Sequence, residues 1–317
     1  MAMTGNAKAA GLDRILTLEL VRVTERAAVA AARWRGRGDE MAADQAAVDA
    51  MRRELNRLPI EGTVVIGEGE RDEAPMLYIG EKVGKGSGPL VDIALDPLEG
   101  TTICAKNQPN SLAVIAIAEG GSLLYAPDVY MQKIAIGPGY AKGIVDLDAT
   151  PMENIQALAA AKGVPVNEIT ACILDRPRHA KLIEDVRATG AALRLIGDGD
   201  VAGVIHTTNP DETGIDIYLG IGGQMQGRLV TQSDSQRERA AKMGVKDFDK
   251  KFTHDEMAKG DVLFAATGVT DGNLLSGVRF ARNGEITTDT VVMRSSSGTV
   301  RWIKATHRDL EKFESEG

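Results

Sequence analysis

The stretch Val91–Thr101, V-D-I-A-L-D-P-L-E-G-T, constrains the fold of this chain more than any other. Val91, Ile93 and Leu95 alternate as one face of a strand does, and the strand runs into two carboxylates, Asp96 and Glu99, before a Gly-Thr turn. A second apolar strand, Thr63–Ile66, runs in the same way into G-E-G-E-R-D-E-A-P, Gly67–Pro75. Glu68, Asp72, Asp96 and Glu99 are therefore expected at the C-terminal ends of two strands. Like charges gathered at one point repel, and a hard divalent cation, which prefers carboxylate oxygens, is the natural way to hold them together. An exposed acidic loop is the plainer reading of G-E-G-E-R-D-E taken alone. A carboxylate that closes an apolar strand, with Pro97 fixing the turn, is harder to explain as a solvated face. Glu99-Gly100-Thr101 then offers an amide and a hydroxyl suited to phosphate oxygens at a helix start.

The 317 residues suffice for two packed layers of mixed structure. Aromatic residues make up only 4% of the chain, so aliphatic side chains and alanine must fill its core. Net charge is −8 with no basic run, which argues against nucleic acid as a partner. No apolar run reaches membrane-spanning length, and the first residues lack the plan of a signal peptide. Cys104 and Cys172 lie far apart and show no zinc spacing, so a reducing cytoplasm is the expected setting.

Helical periodicity marks Leu12–Trp34 and Ala42–Leu58, the second stopped by Pro59. Strands are expected at Thr63–Ile66, near Met76–Ile79 and at Val91–Leu95. A hairpin turning at Glu119-Gly120-Gly121 is expected next, then Val129–Ile136 as one more strand of the same sheet. From about Pro151 the texture becomes a doubly wound alternation of helix and strand, and past Phe264 Gly-punctuated strands return. The expected organisation is a metal-binding α+β half over 1–150. An α/β sugar-phosphate half over 151–317 would follow, its last strands returning to the first half.

Further along, I-L-D-R-P-R-H places Arg176 and Arg178 around Pro177 between a strand and a helix. Guanidinium forks match phosphate oxygens, although a surface pair at a helix start fits equally well. His179 reads as a helix-start residue rather than a catalyst. I-G-D-G-D-V puts Asp198, Gly199 and Asp200 after a strand, where open α/β sheets place ligands; a plain turn is the alternative. Gly80–Lys85 lacks the spacing of a P-loop. The cysteines and histidines form no nucleophile–base arrangement.

D-P-L-E-G-T resembles the D-P-(I/L)-(D/E)-G-(S/T) signature of the metal-dependent, lithium-sensitive sugar phosphatases, the inositol monophosphatase-like superfamily. Gly67–Glu81, G-E-G-E-R-D-E-A-P-M-L-Y-I-G-E, together with W-R-G-R-G-D-E-M-A-A-D at Trp34–Asp44, is similar to the class II fructose-1,6-bisphosphatases of bacteria. Cyanobacterial members of that family also hydrolyse sedoheptulose 1,7-bisphosphate. The likeness runs from Leu18 to Lys304. It implies a layered αβαβα fold and hydrolysis of the 1-phosphate of fructose 1,6-bisphosphate. It also implies Mg2+ or Mn2+ as cofactor, a small sugar bisphosphate as substrate, and a homo-oligomer, dimer or tetramer. It places the metal ligands on Asp44, Glu68, Asp96 and Glu99. Asp44 is otherwise as well read as an N-cap. Water activation falls on Asp72 and Thr101. Substrate contacts fall on Glu99, Gly100, Thr101, Tyr130, Arg176, Pro177, Arg178, Asp198, Gly199, Asp200 and Gly223.

One departure stands out. The family continues I-D-I-Y-L-G-I-G-G with A-P-E-G and an Ala-rich helix before a second G-G-Q-M-Q-G-R-L. This chain passes directly from Tyr218-Leu219-Gly220 to Ile221-Gly222-Gly223-Gln224. About fifteen residues, one turn plus one helix, are missing, and with them a Glu of the family's metal site. A stretch left out of the sequence, a true deletion at the repeated I-G-G, and replacement by Glu212 or Asp216 are the three readings. A catalytically impaired sugar-phosphate-binding protein is the functional alternative if the deletion is real.

Overall fold

The structure, a computed structural model, describes residues 12, 15–69, 76–125, 129–222, 228–230, 234–243 and 245–313. Two helices lead, α1 (Leu16–Ala32) and α2 (Glu40–Leu55). Strands β1 (Glu61–Ile66), β2 (Lys82–Val83) and β3 (Leu90–Glu99) follow, then the short helix α3 (Thr101–Ala105) and β4 (Leu112–Glu119). After β5 (Tyr130–Ile136) come α4 (Pro151–Lys162), β6 (Thr170–Leu174), α5 (Ala180–Thr189), β7 (Ala192–Ile196), α6 (Asp200–His206), β8 (Ile217–Gly222) and β9 (Arg228–Val230). The chain closes with β10 (Val262–Gly268), β11 (Arg279–Phe280), β12 (Ile286–Arg294) and β13 (Thr299–His307).

These strands form two sheets. The first is eight-stranded in the order β11-β12-β10-β4-β3-β1-β2, with β13 also paired to β12. The second runs β7-β6-β8-β5-β9. Alternation along the strands decides what each face covers. Ala113, Ile115 and Ile117 of β4 pack with Leu20, Val23 and Ala27 of α1, whereas Leu112 and Val114 face Val201, Ala202 and Ile205 of α6. In the second sheet Ala171, Ile173 and Ile217 face Ile155 and Leu158 of α4, and Ile183 and Val186 of α5. Cys172 and Tyr218 face Val204 of α6. The order helix, sheet, helix, sheet, helix is the αβαβα layering that the sequence resemblance implies, with α6 alone as the middle layer among these clusters.

Three expectations fail. Met76–Gly80 forms turns, not a strand. The Glu119–Gly121 turn does not open a hairpin: β4 pairs with β3 and β10, and beyond the turn only Leu123 makes an isolated bridge, to Ala258. The strand predicted over Val129–Ile136 forms, but β5 lies in the second sheet, antiparallel to β8 and β9. Within that sheet β7, β6 and β8 run parallel to one another. Alternating apolarity marks a strand but does not say which partner it takes.

The middle layer is thin because α6 is buried on all sides and carries Gly203, where a Cβ would stand 2.9 Å from the Tyr218 ring. We expect Gly203→Ala to lower stability by about 1–2 kcal/mol, overpacking outweighing the roughly 1 kcal/mol gained in helix propensity, as measured by urea denaturation.

Candidate active site

Parallel strands bring the functional residues to one side. β1 and β3 run parallel in the first sheet, and so do β6, β7 and β8 in the second. Their C-terminal ends deliver Glu68, then Asp96 and Glu99, then Arg176 and Arg178, Asp198 and Asp200, and Gly222. A cleft of about 460 Å³ is lined by Asp44, Glu68, Asp96, Glu99, Gly100, Thr101, Asp198 and Asp200.

Asp96-Pro97 does not end its strand. The ladder between β3 and β4 runs through Asp96, slips, and resumes at Glu99. The irregularity turns both carboxylates toward the cleft, with the Leu98 amide donating to Asp96 at 3.0 Å. Asp44 is not an N-cap. That position belongs to Asp39, which accepts the Ala42 amide at 2.9 Å, and Asp44 lies in the second turn of α2, half-buried against the cleft.

Two chain turns meet here in the same geometry. Glu99-Gly100 enters α3, and Asp198-Gly199 enters α6. Both glycines are left-handed, at φ 80° and 79°, a region an L side chain adopts only with strain. The carboxylates are exchanged: the Val201 amide of α6 donates to Glu99 at 2.8 Å, and the Thr102 amide of α3 donates to Asp198. Each turn's acid thus satisfies an orphan amide in the first turn of the other's helix.

The acids are strongly perturbed. Burial raises Asp44 to about 6. Burial, then the charge of Glu68, raises Asp96 to about 7. Glu99 is pushed well above the usual carboxylate range by burial and then by Asp96 and Asp200. Asp96 and Glu99 are close enough that each carboxyl affects the other's ionisation. Among the described residues, no three of these side chains stand close enough to form a ready cation cage. The donor set nevertheless fits a hard cation: all oxygen, mutually repelling and half-desolvated.

Arg176, Arg178 and Tyr130 do not line the cleft itself. Arg176 reaches Asp198 at 3.5 Å. The Arg178 guanidinium lies 4.7 Å from the Tyr130 ring centre, and its Nε donates to the Ile221 carbonyl at 3.0 Å. His179 is buried. Its Nδ1 lies 2.8 Å from the Leu174 carbonyl, and its Nε2 accepts the Ile221 amide at 2.8 Å, so both nitrogens are engaged in holding the backbone. Asp216 is taken by Lys162 and the Thr170 amide, and Glu212 is exposed on a short helix, so neither replaces the family's missing Glu. Asp72 and Gly223 lie outside the described residues. One residue was missed: Lys133, buried and paired with Asp200. Its signal was a lysine on the same inward register as Met131 of β5.

Carboxylates at parallel strand ends, facing two helix starts and flanked by arginines, define a site of the class that phosphoric monoester hydrolases use. The family model described as bacterial fructose-1,6-bisphosphatase, glpX-encoded, matches residues 14–224 and again 221–307, so the chain belongs to that family. The chain is 43% identical to the D-fructose 1,6-bisphosphatase class 2/sedoheptulose 1,7-bisphosphatase of Synechococcus sp. (strain JA-3-3Ab), over 93% of this chain and 96% of that one. It is 45% identical to the fructose-1,6-bisphosphatase 1 class 2 of Escherichia coli (strain K12), with the same coverage. Among solved structures, the extragenic suppressor protein suhB from Bartonella henselae overlaps 62% of this chain and 74% of its own at 14% identity and a TM-score of 0.35, too loose a likeness to carry an argument. The two parts of the family match overlap at Ile221–Gln224.

A carboxyl raised to about 6 or 7 favours the fold while protonated and loses that contribution as pH rises through its folded value. A cation needs the ionised carboxylates, so it competes with protons below that value and binds without that competition above it. Mg2+ should therefore raise the melting temperature more at pH 8 than at pH 5.5, which thermal scans with and without the ion will measure.

Proposed function

We propose that this chain hydrolyses the 1-phosphate of fructose 1,6-bisphosphate, giving fructose 6-phosphate and inorganic phosphate. The observation that carries the reading is the single cleft holding Asp44, Glu68, Asp96 and Glu99 beside two helix starts, in a chain of this family. Asp44, Glu68, Asp96 and Glu99 would hold Mg2+ or Mn2+. Bound there, such ions neutralise the phosphoryl oxygens and lower the pKa of water.

The protein's own groups do the rest. Thr101 begins α3 in the cleft wall, and its hydroxyl orients the attacking water. Asp72, assigned by the family motif, accepts the proton. The Thr101 amide, at the start of α3, faces the transferring phosphoryl group as charge builds on it. Arg178 has its Nε committed to Ile221, which leaves the terminal nitrogens for the far phosphate, with Tyr130 beneath the guanidinium plane. Arg176 joins it, and its long contact to Asp198 is readily exchanged for a phosphate oxygen. Asp198, half-exposed in the cleft wall, is placed to accept a sugar hydroxyl.

Phosphate release from fructose 1,6-bisphosphate in the presence of Mn2+ tests the reading. Asp96→Asn should lower it by on the order of 10²–10³-fold, the loss that accompanies removal of one strong electrostatic group from such a site. Wild-type turnover left intact in that variant would remove Asp96 from its role. Sedoheptulose 1,7-bisphosphate in the same assay reports the breadth of the substrate class.

The missing segment favours a second reading, a sugar-phosphate-binding protein of impaired activity. The split of the family match at Ile221–Gln224 carries it. Calorimetric binding of fructose 6-phosphate without any phosphate release from the bisphosphate is the result that reading requires; release at rates ordinary for an enzyme eliminates it.

A further inference from the structure

Lys133 is 1% exposed, among the largest fully buried side chains of the protein. It projects from β5, and its Nζ pairs with Asp200 Oδ2. Asp200 is the first residue of α6 and is itself nearly buried. The third wall of this pocket is Gly222 at the end of β8. A Cβ there would stand 1.8 Å from Asp200 Oδ2 and 3.4 Å from Lys133 Nζ. Three elements, β5, α6 and β8, thus close around one ion pair, and the backbone is bare where the pair needs the room.

Burying a lone ammonium or carboxylate is costly, and this pair is buried beside a cluster that is already too acidic. Asp200 is one of the charges that push Glu99 up. Without Lys133, Asp200 would be an uncompensated carboxylate next to Glu99. The residue after Asp200 is Val201, whose amide holds Glu99 Oε1 at 2.8 Å. Any movement of Asp200 away from Glu99 takes that amide with it.

We propose that Lys133 is a positioning residue of the cleft. By neutralising Asp200 it keeps the first turn of α6 seated, and through the Val201 amide it aims Glu99. It acts from beneath the site and does not touch substrate. The proposal rests on the hydrolytic reading for its consequence in catalysis, but the placement of α6 can be tested without turnover.

The test compares Lys133→Met, Lys133→Arg, Asp200→Asn and the double variant K133M/D200N. The double variant removes both charges together and so keeps a folded protein for comparison even where Lys133→Met fails to fold. Hydrogen exchange followed by mass spectrometry reads the peptide spanning α6. Exchange there should be about tenfold faster or more in Lys133→Met and return close to the wild-type rate in K133M/D200N, while α1 and α4 keep wild-type protection in both. Wild-type protection of α6 in Lys133→Met, or fast exchange of α6 in the double variant, overturns the proposal.

Phosphate release then tests the route of action. The double variant should match Asp200→Asn within about twofold in kcat/KM, because Lys133 works only through Asp200. Losses that simply multiply would show Lys133 acting independently and overturn it. Lys133→Arg, which keeps the charge, should retain more activity than Lys133→Met. A wild-type chain that releases no phosphate sinks the hydrolytic reading alone, and the exchange result still decides the placement.

Discussion

The exchange of carboxylates between two helix starts is the interaction on which the site depends. Glu99 belongs to the first sheet and accepts from α6; Asp198 belongs to the second and accepts from α3. Neither α3 nor α6 is long enough to be stable alone. Each gains an acceptor for an amide that its own first turn leaves unpaired. The acids in turn gain donors that partly offset their burial. Because each hydrogen bond crosses between the halves, the register of one sheet against the other is fixed at the point where chemistry is expected. The apolar faces on either side of α6 hold the layers together, but they would tolerate small slides that this exchange does not.

The exchange also explains why the cluster tolerates its own charge. Asp44, Glu68, Asp96, Glu99 and Asp200 share one cleft. Asp200 is answered by Lys133, Glu99 by the Val201 amide, and Asp96 by the Leu98 amide. Asp44 is raised by burial alone. The repulsion that remains is the means by which such a site attracts cations, since each charge it neutralises relieves the fold as well. Fewer acids would make a calmer fold with less affinity for a divalent ion.

Much of this was legible in the sequence, and the parts that were not share a cause. The run from Val91 to Thr101 carried its message locally: alternation made the strand, and two acids at its end made the site. The Asp96-Pro97 step was still misread as a stop, because a slipped ladder needs a partner strand to define it. Glu119–Gly121 carries a turn signal and makes a turn, yet no hairpin follows, since β10, far along the chain, takes the edge of β4 that a returning strand would have used. Asp44 is an ordinary helical aspartate until α2 packs against the end of β3. Lys133 is plain as a lysine out of place on an apolar register, but only the fold supplies Asp200. Local chemistry could be read; pairings across more than one element could not.

The end of β8 is tied down by side chains and backbone of its neighbours. The Ile221 amide is held by His179 and its carbonyl by Arg178. Gly222 pairs with Met131 of β5 and leaves room for Asp200 and Lys133. Tyr218, two residues before Gly220, is sealed beneath α6. The backbone at the end of β8 is thus held by β5 on one side and by the Arg178 and His179 side chains. Among the described residues, the cleft beside it is lined by the acids that the strand ends, α2 and the start of α6 deliver: Asp44, Glu68, Asp96, Glu99, Asp198 and Asp200.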